Sequence, residues 1–217
     1  MSYIWYWGLE TAKQNLATTT CKQYRQLVRG VARRFRPLRN FMWFRTLTLP
    51  AREFYSDTIS SKIKSVCWYN STQIYGDKFG YIKAYPMDGY DKHNLGDSLS
   101  LIIQEAGVMQ KVHTDNAPKL VGRKNQFFKH VRKDGIDLTT IEPNILDENY
   151  SKIFIFKAKL EAYKILFLKR VLLWLWCYVL EYYCHLSTMI VQGIFRNKGR
   201  TGYDIIFRNT PDIINYM

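Results

Sequence analysis

The sequence predicts an α/β domain built around a mixed five-stranded sheet. Three observations predict it. Three β-rich segments come before the first helical pattern, two more short β segments then alternate with helical ones, and glycines sit where helical patterns stop.

Residues 53–58 form a short strand that ends at Asp57. Residues 66–75 (VCWYNSTQIY) are rich in β-formers, Gly76-Asp77 signals a turn, and residues 79–85 supply the next strand. A helix follows from Lys92 to Ala106, where Leu95, Leu99, Ile102, Ile103 and Ala106 recur at helical spacing and Gly107 supplies the stop. Lys111 to Thr114 is a strand that delivers Asp115 at its end. Lys124 to Lys133 is a helix with Phe127, Phe128 and Val131 on one side, and Ile136 to Ile141 is the fifth strand. From Asn149 to Val191 the pattern is helical with breaks, and turn chemistry appears at Gly199 to Gly202 and at Pro211. Pro50 marks a boundary between a basic N-terminal extension (1–50) and the core with its C-terminal helices (51–217).

Hydrophobic residues make up 47% of the 217, enough to bury a core. The aromatic share is 16%, and many of these rings sit in the last third, where they are expected to pack helices. Lysine and arginine number 32 against 18 acids, a net charge of +14, so a polyanion is the first partner to consider. Cys21, Cys67, Cys177 and Cys184 form no C-x-x-C pair, and His93, His113, His130 and His185 have no zinc-ligand spacing. No zinc site is expected, and unpaired cysteines suggest a reducing compartment. No secretory signal is expected in Met1 to Gly8. Val171 to Leu180 is uncharged but spans ten residues where a membrane helix needs about twenty, so it is expected to be a buried helix. Trp174 and Trp176 are expected to anchor helix packing, and Cys177 and Cys184, seven apart, to lie in the core.

Two features carry chemistry. In the N-terminal extension Arg25, Arg29, Arg33, Arg34 and Arg36 are interleaved with aromatics such as Tyr24 and Phe35, a pattern that suits a nucleic-acid arm or a solvated basic linker. Asp57 and Asp115 end two strands. If those strands are neighbours, the carboxylates face each other and can hold a hard divalent cation. Otherwise each caps a strand or turn.

Several segments together resemble the integrase region of copia-type retroelement polyproteins. They are Gly8-Leu9-Glu10-Thr11-Ala12-Lys13, Phe54-Tyr55-Ser56-Asp57-Thr58 with Lys62-Ile63-Lys64-Ser65, and Lys83-Ala84-Tyr85-Pro86-Met87. Further on come His113-Thr114-Asp115-Asn116-Ala117, Ile141-Glu142-Pro143 with Asn149, and Leu175-Trp176. The last is Gly199-Arg200-Thr201-Gly202-Tyr203-Asp204 with Asn209-Thr210-Pro211-Asp212-Ile213. The resemblance implies an RNase H-like fold and Mg²⁺- or Mn²⁺-dependent cleavage and strand transfer of DNA. It also implies a homo-oligomer, a nuclear or cytoplasmic location, and no membrane.

The resemblance further implies three acidic ligands. Asp57 and Asp115 match two of them, while Lys152 stands where the third, a glutamate, belongs. An ammonium there repels the second metal. Glu148, one turn earlier, is a substitute, and Glu142, just before Pro143, is a weaker one. The turn between Pro143 and Asn149 has drifted to Asn144-Ile145-Leu146-Asp147-Glu148, and Cys177 replaces the aspartate that follows Leu-Trp. Both changes suit a decaying element copy. His113 is expected to flank the metal site without ligating. The expected function is an integrase core with impaired or lost catalysis. The alternative is a non-catalytic or domesticated DNA-binding remnant. A membrane-associated protein built on residues 165–184 is disfavoured by Lys169, Arg170 and Glu181.

Overall fold

The computed structural model describes residues 53–89, 92–115, 126–141, 150–190, 200–208 and Pro211. The arginine arm, Glu142, Glu148 and Asn149 lie outside the described residues. The chain divides into two compact units, one of Leu49–Lys78 with Ile82–Cys184 and a second that includes Phe79–Tyr81 and His185–Met217.

The first unit holds the sheet. Its strands are β1 (Glu53–Ser60), β2 (Ser71–Asp77), β3 (Ile82–Met87), β4 (Lys111–Asp115) and β5 (Asp137–Ile141), in the order β3-β2-β1-β4-β5. β1, β2 and β3 pair antiparallel, whereas β4 pairs parallel with both β1 and β5. Parallel neighbours need crossover connections, and helices α1 (Lys92–Ala106) and α2 (Gln126–Lys133) lie in the β3–β4 and β4–β5 connections. The mixed α/β architecture matches the strand and helix order expected from sequence.

Strand pairing decides the faces. Ser56 and Thr58 point one way from β1, and Tyr55 and Asp57 the other, because side chains alternate along a strand. On the Ser56 face, Tyr75 Oη lies 3.0 Å from Ser98 Oγ of α1, so α1 covers that side. Leu95, Leu99 and Ile102 of α1 are fully buried, as the helical spacing predicts. Gly96 lets α1 and α2 approach closely: a Cβ there would lie 3.1 Å from Gln126 Cβ and 3.3 Å from the His130 ring. Helix α3 (Tyr150–Leu168) packs on β1 and β2, burying Ile155, Ala158 and Ala162.

The second hairpin differs from expectation. Residues 61–70 form a loop, held by Ser61 N–H to Asn70 O at 2.8 Å and Ser65 N–H to Tyr69 O at 2.8 Å. Gly76 and Asp77 lie inside β2, and the turn falls at residues 78–81, where Gly80 takes φ 91°. Gly76 pairs with Tyr55 on one side and Ile82 on the other. Pairing on both edges overrides the local turn chemistry of a Gly-Asp pair.

The apolar run 171–180 is not one buried helix. α3 ends with Arg170 in the left-handed region, φ 51°, and Leu173–Leu175 form a single 3₁₀ turn. Helix α4 (Trp176–Met189) begins only after it. Leu172, Leu173 and Trp174 are exposed, whereas Cys177, Val179, Leu180 and Cys184 are buried. Trp174 therefore does not anchor helix packing through its ring. Its carbonyl accepts from Val66 N–H at 2.8 Å, and the Trp176 indole donates to Ile63 O at 2.9 Å, tying the 61–70 loop to the start of α4. The aromatics of α3 also depart from the expected helix packing, since Phe156, Tyr163 and Phe167 face outward. Among the described residues, no helix is long and apolar enough to cross a membrane.

In the second unit, Gly202 opens a helix, α5 (Gly202–Phe207), where sequence suggested a turn. Thr201 caps it by accepting from Asp204 N–H at 3.0 Å. A serine or threonine oxygen in this position satisfies one of the otherwise unpaired first-turn donors. A Cβ on Gly202 would stand 2.5 Å from Gly80 C and Tyr81 N. Close backbone approach, rather than turn geometry, requires glycine there.

Candidate active site

The site is built by the β1–β4 pairing. The parallel register joins Glu53 to Lys111, Tyr55 to His113 and Ser56 to Thr114. Asp57 and Asp115 follow Ser56 and Thr114 directly. They lie just beyond the end of that ladder, on the face that carries the Tyr55–His113 pair. The rings of that pair stack with centroids 4.6 Å apart and an interplanar angle of 11°.

Asp57 does not end its strand. It is the fifth of eight residues in β1, because Thr58 to Ser60 continue the antiparallel ladder with Gln73 to Ser71. What ends near Asp57 is the parallel pairing, since β4 stops at Asp115. Asp57 is half-buried and Asp115 exposed.

Burial pushes the Asp57 carboxyl above the usual carboxylate range. The Thr58 backbone N–H, donating to Oδ1 at 2.7 Å, opposes that shift. The Asp115 charge raises it further, and the Lys159 and Lys152 ammonium groups lower it. All three charges are therefore close enough to act on Asp57. Lys152 is the third residue of α3, and Lys159 lies two helical turns further along the same side. Lys159 was not identified from sequence. Its seven-residue separation from Lys152, on one helix, was the available signal.

A buried polar network backs β1 on the opposite face. Gln73 is fully buried. It donates from Nε2 to Ser56 Oγ and accepts at Oε1 from Thr58 Oγ1, both at 2.5 Å. These two hydroxyl residues bracket Asp57, so Gln73 holds the backbone that presents the carboxylate. His113 is kept below its usual pKa by burial first, then by the Lys111 charge, and it faces Glu53 Oε2 at 4.0 Å. Its ring is turned against Tyr55.

Two carboxylates beside each other, with burial and mutual repulsion raising Asp57, fit one hard divalent cation, which commonly takes one or two protein carboxylates and keeps its waters. They do not fit a pair of ions. Among the described residues no group of three His, Cys, Asp or Glu side chains could hold a metal, and the α3 charges that act on Asp57 are those of Lys159 and Lys152. Such an ion, when bound, polarises a phosphoryl oxygen as a Lewis acid.

No family model matches the sequence, and no curated protein matches it either. Solved structures do match. The HTLV-2 integrase catalytic core domain, in a trimeric form in complex with magnesium, is 16% identical with a TM-score of 0.57 over 73% of this chain and 98% of that one. The BIV integrase catalytic core domain is 15% identical with a TM-score of 0.53, covering 73% and 95%. A chain of the simian T-cell lymphotropic virus intasome, solved with the PP2A regulatory subunit B56 gamma, is 16% identical with a TM-score of 0.57. The match covers 72% of this chain and 54% of that one. The fold is thus that of integrase catalytic cores, the RNase H-like α/β fold.

Proposed function

We propose that this chain is an integrase catalytic core of copia-type descent that binds DNA and has lost strand transfer. The observation that carries this reading is the pairing of β1 with β4, which sets Asp57 beside Asp115 while α3 offers Lys152 and Lys159 instead of a third carboxylate. Asp57 and Asp115 would hold a single Mg²⁺ or Mn²⁺. Two-metal phosphodiester chemistry needs a second ion, and Lys152 puts a positive charge in its place. Glu148 would serve as a substitute only by replacing the missing carboxylate, and Lys152 would still oppose it.

DNA is the proposed partner because the chain carries a net charge of +14 and an arm containing Arg25, Arg29, Arg33, Arg34 and Arg36. Lysines beside an acidic pair also favour phosphate over a second cation, which supports the reading of a non-catalytic DNA-binding remnant; a nuclear or cytoplasmic setting is part of the same proposal. Strand-transfer assays with Mg²⁺ and with Mn²⁺ test the proposal. No joining by the wild type, with joining regained in Lys152→Glu, is the expected result. Efficient joining by the wild type would overturn the loss of activity. Salt-insensitive or absent DNA binding in the presence of a chelator would overturn the partner.

A further inference from the structure

Helix α3 is apolar on two faces, and the larger residues point outward. Its sheet-facing positions include the small Ala158 and Ala162 beside Ile155. Its outward positions Ile153, Phe156, Leu160, Tyr163 and Phe167 are all exposed, from 42% for Leu160 to 70% for Phe167. The spacing of these five is three, four, three, four, which is the a/d repeat of a helix that meets another helix side by side. At 3.6 residues per turn they occupy a stripe only about 80° wide. Tyr163 and Phe167 already stack, with centroids 6.2 Å apart, so part of the stripe is preordered. A continuous exposed stripe of this kind marks an interaction surface rather than scattered surface hydrophobics.

The flanks identify the partner. Lys152 and Lys159 run along one side of the stripe, and Lys157 and Lys164 along the other. Glu161 stands outside the second row, 2.7 Å from Lys164. A second copy of the chain would set lysine rows against lysine rows, adding local repulsion to that between two bodies of charge +14. A lipid-surface helix sets a strongly polar face opposite its apolar one, whereas the side of α3 opposite the stripe is apolar and packed on β1 and β2. We propose that the outer stripe of α3 is a docking site for an amphipathic helix of a partner protein, with apolar residues at the same three–four spacing and acidic residues along both flanks. Such a helix would seat its apolar residues between Phe156, Leu160 and Tyr163, with its carboxylates against the two lysine rows. The apolar stripe and the Lys157–Lys164 row do not rest on the DNA-binding reading, whereas Lys152 and Lys159 are shared with it.

The test uses the full chain and two fluorescent synthetic helices of about three heptads, with leucine at a and d and either glutamate or lysine at e and g. Anisotropy titrations at physiological salt are expected to show saturable binding of the glutamate-flanked helix and at least about tenfold weaker binding of the lysine-flanked one. Phe156→Ser with Tyr163→Ser should weaken the first about tenfold while leaving the melting temperature unchanged, since both side chains are exposed. Lys157→Glu with Lys164→Glu should shift preference toward the lysine-flanked helix, and this variant serves if the first pair misfolds. Equal binding of both helices, no binding, or full binding retained in the Phe156/Tyr163 variant would overturn the proposal. So would sedimentation showing a wild-type dimer that those two serines dissolve, which would assign the stripe to a second copy. Phosphatidylserine vesicles that bind through the same residues and displace the peptide would assign it to a membrane.

Discussion

Asp57 and Asp115 lie one residue beyond Ser56 and Thr114, the last pair of the parallel β1–β4 ladder. Repulsion from the Asp115 charge adds to burial in raising the Asp57 carboxyl, against the Thr58 N–H, which lowers it. A divalent cation shared by the two would remove that repulsion. Isothermal titration with Mg²⁺ or Mn²⁺ is expected to show one weak site in the wild type, lost in Asp57→Asn and in Asp115→Asn. Lys152→Glu exchanges a cation for an anion and should tighten ion binding by about tenfold or more. Unchanged affinity in that variant would show that Lys152 does not face the carboxylate pair.

The support beneath Asp57 makes a separate prediction. Gln73 is the shared partner of Ser56 and Thr58, and both Gln73 and Ser56 are fully buried. Gln73→Leu keeps the volume but strips hydrogen bonds from those hydroxyls. It should cost about 1–3 kcal/mol in urea denaturation. It should also weaken any ion bound at Asp57, which simple loss of core packing elsewhere would not do.

The Thr201-Gly202 pair gives a contrast between two mechanisms. Thr201→Ala removes the cap on α5 and should cost about 1 kcal/mol. Gly202→Ala drives a methyl into the Gly80–Tyr81 backbone, where little can yield, and should cost about 1–3 kcal/mol. Local proteolysis and hydrogen exchange of α5 report both effects if global unfolding does not.

Glu181 on α4 sets a pH dependence. Burial raises its carboxyl above the usual glutamate range, and the Lys83 charge lowers it only in part. A carboxyl whose folded pKa is raised favours the folded state when protonated. Its contribution is full below the unfolded pKa and is lost as pH rises through the folded one. Glu181→Gln is therefore expected to raise the melting temperature at neutral pH by about 1–3 °C. The gain should vanish in acid, below the ordinary glutamate pKa. A gain independent of pH would mean that packing, not ionisation, is responsible.

DNA affinity should follow the basic arm. Log affinity is expected to fall linearly with log salt concentration. Replacing Arg25, Arg29, Arg33, Arg34 and Arg36 by alanine should flatten that slope, by roughly one unit for each phosphate contact removed. An unchanged slope in electrophoretic or anisotropy titrations would assign the arm to another role.

The alternation of β-rich and helical segments was enough to predict the α/β class, because side-chain periodicity is a local property that survives without tertiary context. Asp57, Asp115 and Lys152 were singled out on a different ground, a resemblance carried by segments in a recognisable order and spacing. Other features depended on the fold. Whether Asp57 and Asp115 meet is decided by the parallel pairing of β1 with β4, a contact between segments far apart in the chain. Gly76-Asp77 carries turn chemistry, yet Gly76 pairs with both β1 and β3 and Asp77 with β1, which draws them into a strand. Gly202 carries turn chemistry too, and its real constraint is the backbone of Gly80 and Tyr81. The two faces of α3 are equally apolar in sequence. Only packing on β1 and β2 selects Ile155, Ala158 and Ala162 for burial, leaves Phe156, Tyr163 and Phe167 outside, and brings Lys159 to Asp57. Periodicity places a residue on a side of its element, but which side meets the sheet depends on the complementary surface, and that surface exists only once the chain has folded.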